Sequence, residues 1–393
     1  MSRSQSVLAA LAATVVACHS ASPAPSTDAG VPYASTRPRL VWPARGALVS
    51  LPDDDRLEMV DLETRRVVDA RSVGRDPVGI DAPTDLALGL RGDDPVVFTL
   101  LAPTVAGEAP GPHAARASRD RVAWIVALSQ LDARPIAELR VGPHPGALAV
   151  SDDGSRLVVT HYDLAGDTDG GPPDGGDFAR ATVLDVPTRA LAASNSPDPL
   201  EIPTCVGARG VALSPGDGHV AAVACAGEDA VALVDLALRK VTRVPVVGAG
   251  GARTRPAFVA TTGERVMVAC AETREVRIVD MRSLEVQTPR DARWTATPTS
   301  VRFSSDGRVA YVTLDDGRVG VLDLAGATTR TFGPFVGCEH AVDVAFDSPD
   351  VVLLCARDRG GGALVVLDAA SMSPRGEAVA FAHPPARVAV VRR

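Results

Sequence analysis

Short apolar runs alternate with polar, glycine-rich turns along nearly the whole chain. One run recurs, an apolar stretch that ends in Asp-Leu or a near variant. It reads MVDL (59–62), IVAL (125–128), VLDV (183–186), LVDL (233–236), IVDM (278–281), VLDL (321–324) and VLDA (366–369). These are seven copies, and from the third onward they stand 43 to 50 residues apart. Around the sixth copy the pattern resolves into strands. SVRFSSDG (300–307) alternates apolar and polar positions and ends in a turn signal. AYVTLDDGRVGVLDL (310–324) supplies two more strands about Asp-Asp-Gly, and a fourth runs toward Phe332. Alternation punctuated by Asp-Gly predicts an antiparallel meander of four strands, named here a to d from the inside outward.

The same order returns in PGALAVSDDG (145–154) and RLVVTHYD (156–163), and in GVALSPGDG (210–218) and HVAAVACAGEDAVALVDL (219–236). RVMVACAETREVRIVDM (265–281) and VVLLCARDRGGGALVVLDA (351–369) repeat strands b and c. Strand a falls at 85–90, 147–151, 210–214, 257–261, 300–304, 342–346 and 386–391, which gives seven units. The last, in PARVAVVRR (385–393), has no b, c or d after it. At the amino end ALVSLP (47–52) and RLEMVDL (56–62) read as b and c with no a before them. The carboxyl-terminal strand is therefore expected to complete the first unit and close a ring, which removes open sheet edges. A repeat of 40 to 50 residues built from short strands predicts a β-propeller. The expected fold class is all-β, a single seven-bladed β-propeller of four-stranded antiparallel blades over 38–393. LVW (40–42) is left over as a short extra strand.

The phrases Pro-x-x-Leu-Ala-Val-Ser-Asp-Asp-Gly (145–154), Tyr311-Val312-Thr313 and Val-x-Asp-Leu resemble the YVTN-type β-propeller repeat family. The resemblance covers nearly all of the chain after residue 37. That family and its relatives include surface-layer proteins, periplasmic binding propellers, lactonase-like proteins and subunits of quinone-dependent dehydrogenases. It thus implies a fold and leaves the activity open.

The amino end is built differently. Arg3 gives a basic start, residues 7–17 are apolar and uncharged, and Cys18 follows Val15-Val16-Ala17. So short an apolar core predicts an export signal over 1–17 and not a spanning helix. The Val-x-Ala-Cys ending resembles a bacterial lipobox. That resemblance implies cleavage before Cys18 and acylation of its thiol and new amino group. Each buried methylene contributes about 0.8 kcal/mol, so several acyl chains make a stable anchor. A plain export signal with a chance cysteine is the alternative. Residues 18–37 are rich in Ser, Ala, Pro and Thr and read as a disordered tether. His19 in place of an aspartate after the cysteine points to the outer membrane, with the propeller facing the periplasm or the cell surface. Six cysteines in an exported chain point to an oxidising compartment. A net charge of −8 and an aromatic content of 4% argue against nucleic-acid binding.

In such blades the b–c and d–a connections leave one face, and the a–b and c–d turns leave the other. The a–b turns are short, as in Asp152-Asp153-Gly154 and Ser305-Asp306-Gly307. The long connections read as b–c at 102–121 and 162–179, and as d–a at 74–83, 194–209 and 247–256, all on one face. Loops of this length usually carry function. The d–a links also bring Arg75, His144, Arg209, Arg253, Arg255, His340 and His383 to one rim, beside Asp76 and Glu339. These bases are candidates to hold an anionic ligand or a carboxylate-bearing peptide. Ordinary solvated loop residues are the alternative.

Cys205 precedes one strand a, and Cys225 ends the strand b beside it. Cys338 and Cys355 stand in the same relation. Disulfides Cys205–Cys225 and Cys338–Cys355 are expected, with Cys270 unpaired. Each would close a loop of about 20 residues and contribute roughly 3 kcal/mol. Reduced, buried cysteines are the alternative. The chain has no Cys-x-x-Cys, haem-attachment, nucleophile-elbow or phosphate-loop motif. In the loop 163–177, Asp163, Asp167 and Asp169 offer oxygens to calcium, but the spacing is not that of a calcium hand and no Glu closes it. His144 and His161 are expected to face each other across a hairpin, too few for a closed zinc site. No cofactor, metal or catalytic residue is assigned. The expected function is a monomeric, lipid-anchored envelope propeller that binds a protein, peptide or cell-envelope ligand without catalysis. The alternative is a metal-dependent, lactonase-like hydrolase with its site at the channel mouth.

Overall fold

The computed structural model describes residues 42–73, 81–91, 94–102, 124–129, 135–140, 145–154, 156–161, 180–184, 200–326 and 328–392. Cys18, the tether, Arg75, His144, Asp163, Asp167 and Asp169 lie outside the described residues or have side chains that do.

Among the described residues the strands form seven four-stranded antiparallel sheets. The first blade takes its strand a from the carboxyl end: Arg387–Arg392 pairs with Arg45–Leu51, followed by Arg56–Asp61 and Arg66–Ser72. The register runs from Ser50 opposite Arg387 to Arg45 opposite Arg392. The second blade is Pro83–Arg91, Asp94–Leu101, Trp124–Ser129 and Pro135–Arg140. The third is Pro145–Val150, Leu157–His161, Arg180–Leu184 and Leu200–Pro203. The fourth is Ala208–Leu213, Val220–Cys225, Ala230–Asp235 and Lys240–Pro245. The fifth is Pro256–Thr261, Arg265–Cys270, Glu275–Asp280 and Val286–Gln287. The sixth is Pro298–Phe303, Val309–Leu314, Val319–Asp323 and Thr328–Phe332. The seventh is His340–Asp347, Asp350–Ala356, Gly362–Asp368 and Val379–Phe381. Each strand a touches the strand a of the next blade, and the last touches the first. The expected all-β, ring-closed propeller is what the chain adopts.

The core is a set of interfaces between blades. One cluster joins Ala147, Val158 and Ile202 of the third blade to Ala221, Val223 and Val234 of the fourth. Others join the fourth to the fifth, the fifth to the sixth, the sixth to the seventh, the seventh to the first and the first to the second. A middle strand is therefore covered on both sides. That is why Val220–Cys225 and Ala230–Asp235 read as continuous apolar runs, while the outer strand Lys240–Pro245 is mostly exposed or half-buried.

The recurring aspartate now has a physical cause. It ends strand c and caps the c–d turn. Asp61, Asp235, Asp280, Asp323 and Asp368 each accept, through Oδ1, the N–H groups two and three residues on, at 2.8–3.3 Å. Such side-chain caps satisfy turn amides that no strand can reach. Three a–b turns use serine, Ser151, Ser214 and Ser304. Ser304 Oγ donates to Asp306 Oδ1 at 2.6 Å and accepts the Val309 amide at 3.0 Å.

Two expectations are corrected. The sequence predicts a d–a link over 194–209, but Leu200–Pro203 is the fourth strand of its blade. Residues 185–199, between strands c and d, lie outside the described residues, and the link into the next blade is 204–207. The sequence around 200 has a single short apolar run, too short to mark an outer strand by its pattern. A ten-residue c–d connection, 369–378, also occurs in the seventh blade. Long connections are thus not confined to one face. Of the extra strand expected at 40–42, residues 40 and 41 lie outside the described residues; Trp42 lies outside any strand and is buried among Leu48, Leu57, Met59 and Val97 at the first and second blades. Its ring fills space between two blades, which needs no backbone pairing.

Candidate functional site

The innermost strands carry a polar arc that the sequence did not announce. A strand a has no partner on its channel side, so its amides there need other acceptors. Near its start each strand a from the second blade to the seventh slips register against strand b. Such bulges bend the strand and re-aim a side chain. Asp85, Ser300 and Asp343 follow three of these bulges, and Arg387 takes the matching place on the unbulged closing strand.

They link blade to blade. Ser300 Oγ of the sixth blade donates to Asp343 Oδ1 of the seventh at 2.6 Å. Asp343 Oδ2 accepts the Val388 amide of the first at 3.2 Å. Arg387 Nε of the first donates to Asp85 Oδ1 of the second at 3.1 Å. Asp85 Oδ2 accepts the Leu148 amide of the third at 2.9 Å. The arc therefore runs through five inner strands and straddles the closure. Arg302 adds charge 3.6 Å from Asp343. The Arg387 guanidinium also stands 5.6 Å from the centre of the Phe258 ring, in the fifth blade, and so reaches past the blades next to its own.

The electrostatics follow from burial. Asp343 and Asp85 are 0% and 6% exposed. Burial raises the pKa of Asp85, partly offset by Arg387 and by the Leu148 amide. Burial alone would lower the pKa of Arg387, but Asp85 and Asp343 outweigh it and hold the guanidinium charged. The carboxylates are occupied by donors, so the arc acts as a lock and offers no free base.

One step further along, six strands carry alanine at matching register: Ala87, Ala149, Ala212, Ala260, Ala345 and Ala389, with Arg302 in the sixth blade. Small side chains let seven strands converge. Gly210 takes this furthest: a Cβ there would lie 2.7 Å from the Ala257 carbonyl oxygen. The signal was legible as a repeated triplet, from Asp85-Leu86-Ala87 to Arg387-Val388-Ala389.

The described rim residues stand on the links that enter the blades or at the start of the strand a that follows. Arg253 Nε donates to Asp229 Oδ2 at 3.2 Å, and its Nη2 to the Ala226 carbonyl at 3.3 Å. Arg255 Nε lies 4.0 Å from Glu272. His340 sits between the Asp315 carbonyl and Asp358. His383 Nε2 is 3.3 Å from Asp54. The Arg209 carbonyl accepts the Thr160 hydroxyl of the neighbouring blade. Arg253 and Arg255 share one link between the fourth and fifth blades, whereas His340 and His383 flank the seventh. His161 ends its strand opposite Pro145 and is buried.

These links are also pinned. Asp55 Oδ1 accepts the Asp81 and Ala82 amides at 2.8 and 2.7 Å. Asp229 Oδ1 accepts the Thr254 and Arg255 amides at 2.9 and 2.8 Å. Each ties a b–c turn to the link that enters the next blade. Disulfides Cys205–Cys225 and Cys338–Cys355 tie the start of a strand a to the end of strand b, with Cα atoms 5.8 and 4.9 Å apart. Both pairings are those expected from the spacing, and Cys270 is free and buried. Among the described residues no three His, Cys, Asp or Glu side chains gather as a metal site, and no helix is long and apolar enough to cross a membrane.

No family model matches the chain. No curated protein is similar to it in sequence. Solved structures do share its shape. A functionally unknown protein from Desulfotomaculum acetoxidans superposes with a TM-score of 0.61 at 14% identity, over 88% of this chain and 99% of that one. AztD from Citrobacter koseri gives 0.54 at 12% identity, over 88% and 98%. The dihydro-heme d1 dehydrogenase NirN, in complex with DHE, gives 0.53 at 15% identity, over 90% and 77%. At such identities the likeness is one of fold: the chain is a β-propeller of this general kind.

Proposed function

We propose that this chain is a lipid-anchored envelope propeller of the YVTN-type kind, held by acylated Cys18 and binding a carboxylate-bearing peptide, protein or cell-envelope ligand without catalysis. The observation that carries the reading is the placement of both disulfides where a link enters strand a. Oxidised cysteines suit an exported protein. Links pinned by two disulfides and by Asp55 and Asp229 lose little freedom on binding, and that saving appears as affinity. Arg209, Arg253 and Arg255 then supply cations beside His340 and His383, and Arg75 and His144 are the further candidates. A ligand carboxylate would exchange with the resident acidic partners, so binding weakens with salt. The protein acts as a monomer.

Two experiments test this. Labelled palmitate should enter the wild-type chain and not Cys18→Ser. A fluorescent acidic peptide should bind the soluble propeller at low salt, and an Arg253→Gln, Arg255→Gln chain should bind it at least tenfold more weakly. An unlabelled wild type removes the anchor. Equal binding by both chains removes the rim.

A further inference from the structure

We propose that His340 is a pH-dependent clasp: as an imidazolium it holds the b–c turns of the sixth and seventh blades together, and on losing a proton it releases the turn of the seventh. The inference goes beyond the binding reading and does not rest on it.

His340 opens strand a of the seventh blade. Its Nδ1 lies 2.5 Å from the Asp315 carbonyl oxygen, in the b–c turn of the sixth blade. Its Nε2 lies 2.6 Å from Asp358 Oδ1, in the b–c turn of its own blade. A carbonyl oxygen only accepts, and so does an ionised carboxylate. Both ring nitrogens must therefore donate, and only the imidazolium carries two N–H groups. Neutral imidazole would point a lone pair at an oxygen at one of the two positions. The Asp358 arm yields, because the Asp358 side chain is 73% exposed and water can replace the contact. The Asp315 arm is held from both sides, since the Asp315 amide donates to the Thr297 carbonyl and Asp315 Oδ1 accepts the Thr297 amide.

The surroundings allow one arm to open without wider unfolding. Cys338, two residues back, is bonded to Cys355 and fixes the approach of the histidine. Glu339 Oε2 accepts the Asp358 amide at 2.6 Å, and Arg357 Nε donates to the Gly337 carbonyl at 3.2 Å. Neither bond uses the imidazole, so the base of the turn stays attached. Charged groups around the ring are Asp315, Asp358 and Glu339, then Arg357 and the Asp316–Arg318 pair. The bond to Asp358, then that to the Asp315 carbonyl, holds the histidine above its ordinary pKa of 6.5. A raised histidine pKa stabilises the folded form fully below the unfolded value, and this is lost as pH rises through the folded value. The clasp is thus closed in acid and opens toward alkaline pH.

The test is nitrogen NMR of the histidine rings from pH 5 to 9, with hydrogen exchange of residues 357–361 corrected for intrinsic rate. His340 should show two protonated nitrogens at low pH and titrate above 6.5. Exchange in 357–361 should rise several-fold through the same midpoint. His340→Gln should abolish that step, and Asp358→Asn, at an exposed position, should bring the His340 midpoint back toward 6.5. A wild-type midpoint at or below 6.5, a step that survives in His340→Gln, or an unmoved midpoint in Asp358→Asn would each overturn the clasp.

Discussion

Arg387→Met removes the cation at the centre of the polar arc. Arg387 is 18% exposed at its side chain and Asp85 9%, with 3.1 Å between Nε and Oδ1. Methionine keeps much of the aliphatic stem and none of the charge. Removing one partner of a buried pair costs about 3–5 kcal/mol, because the other charge stays behind. Asp85 still accepts the amides of Leu148 and Leu86, and Asp343 keeps Ser300, Val388 and Arg302. These donors place the loss at the lower end, about 3 kcal/mol, or roughly 150-fold in the folded-to-unfolded ratio. The contact over Phe258 is included in that loss and is worth about 0.5–1 kcal/mol. Urea unfolding followed by tryptophan fluorescence reads it, since Trp42 and Trp294 are both buried. With a slope of about 3 kcal/mol per molar, the midpoint falls by about 1 M. The pH dependence is the sharper check. Burial already raises the folded pKa of Asp85. A raised carboxyl stabilises the fold most below its unfolded pKa, and this fades as pH rises through the folded value. Without Arg387 the folded value climbs further, so the penalty is larger at pH 7.5 than at pH 4. Adding Asp85→Asn should return about 1–2 kcal/mol of it. A loss below about 1 kcal/mol, or one of equal size at pH 4.5 and 7.5, refutes the account of the arc as a charge-dependent lock.

Cys205→Ala with Cys225→Ala opens a bond of sequence separation 20 and should lower stability by about 3 kcal/mol, read from the urea midpoint in oxidising buffer. Cys270 is buried, which pushes its thiol up to about 12, with Glu275 adding to the rise. In a Cys18→Ser chain it should resist alkylation at pH 8 until denaturant is added, after which one thiol per chain reacts. Gly317→Ala forces a Cβ to within 2.1 Å of the Cys338 carbonyl oxygen at a φ of +78°. Left-handed backbone alone costs alanine about 1–2 kcal/mol, so a larger fall in midpoint is expected. Deleting 387–393 removes strand a of the first blade and exposes the edge of Arg45–Leu51, so the chain should aggregate, as light scattering would show.

The repeat phrase was readable because its cause is local. An aspartate at the end of strand c caps amides two and three residues away, and five of the described blades share this cap. Asp-Gly turns and alternating strands are equally local. The missed strand Leu200–Pro203 shows the limit: four residues with one charged position carry little periodicity, and its pairing with Arg180–Leu184 defines it. Of the rim residues, Arg253, Arg255 and His383 stand on links, whereas Arg209 and His340 lie in strands, and nothing in their spacing told that Arg253 would meet Asp229 or that His340 would stand between two acceptors.

From the chain alone came the strand order, the closing strand at the carboxyl end and both cysteine pairs, since each rests on contacts inside one repeat or on a repeat left incomplete. Only the folded ring decided the polar arc and the histidine clasp. Arg387 and Asp85 are 302 residues apart in sequence, and no periodic pattern records a contact that exists solely because the ring shuts.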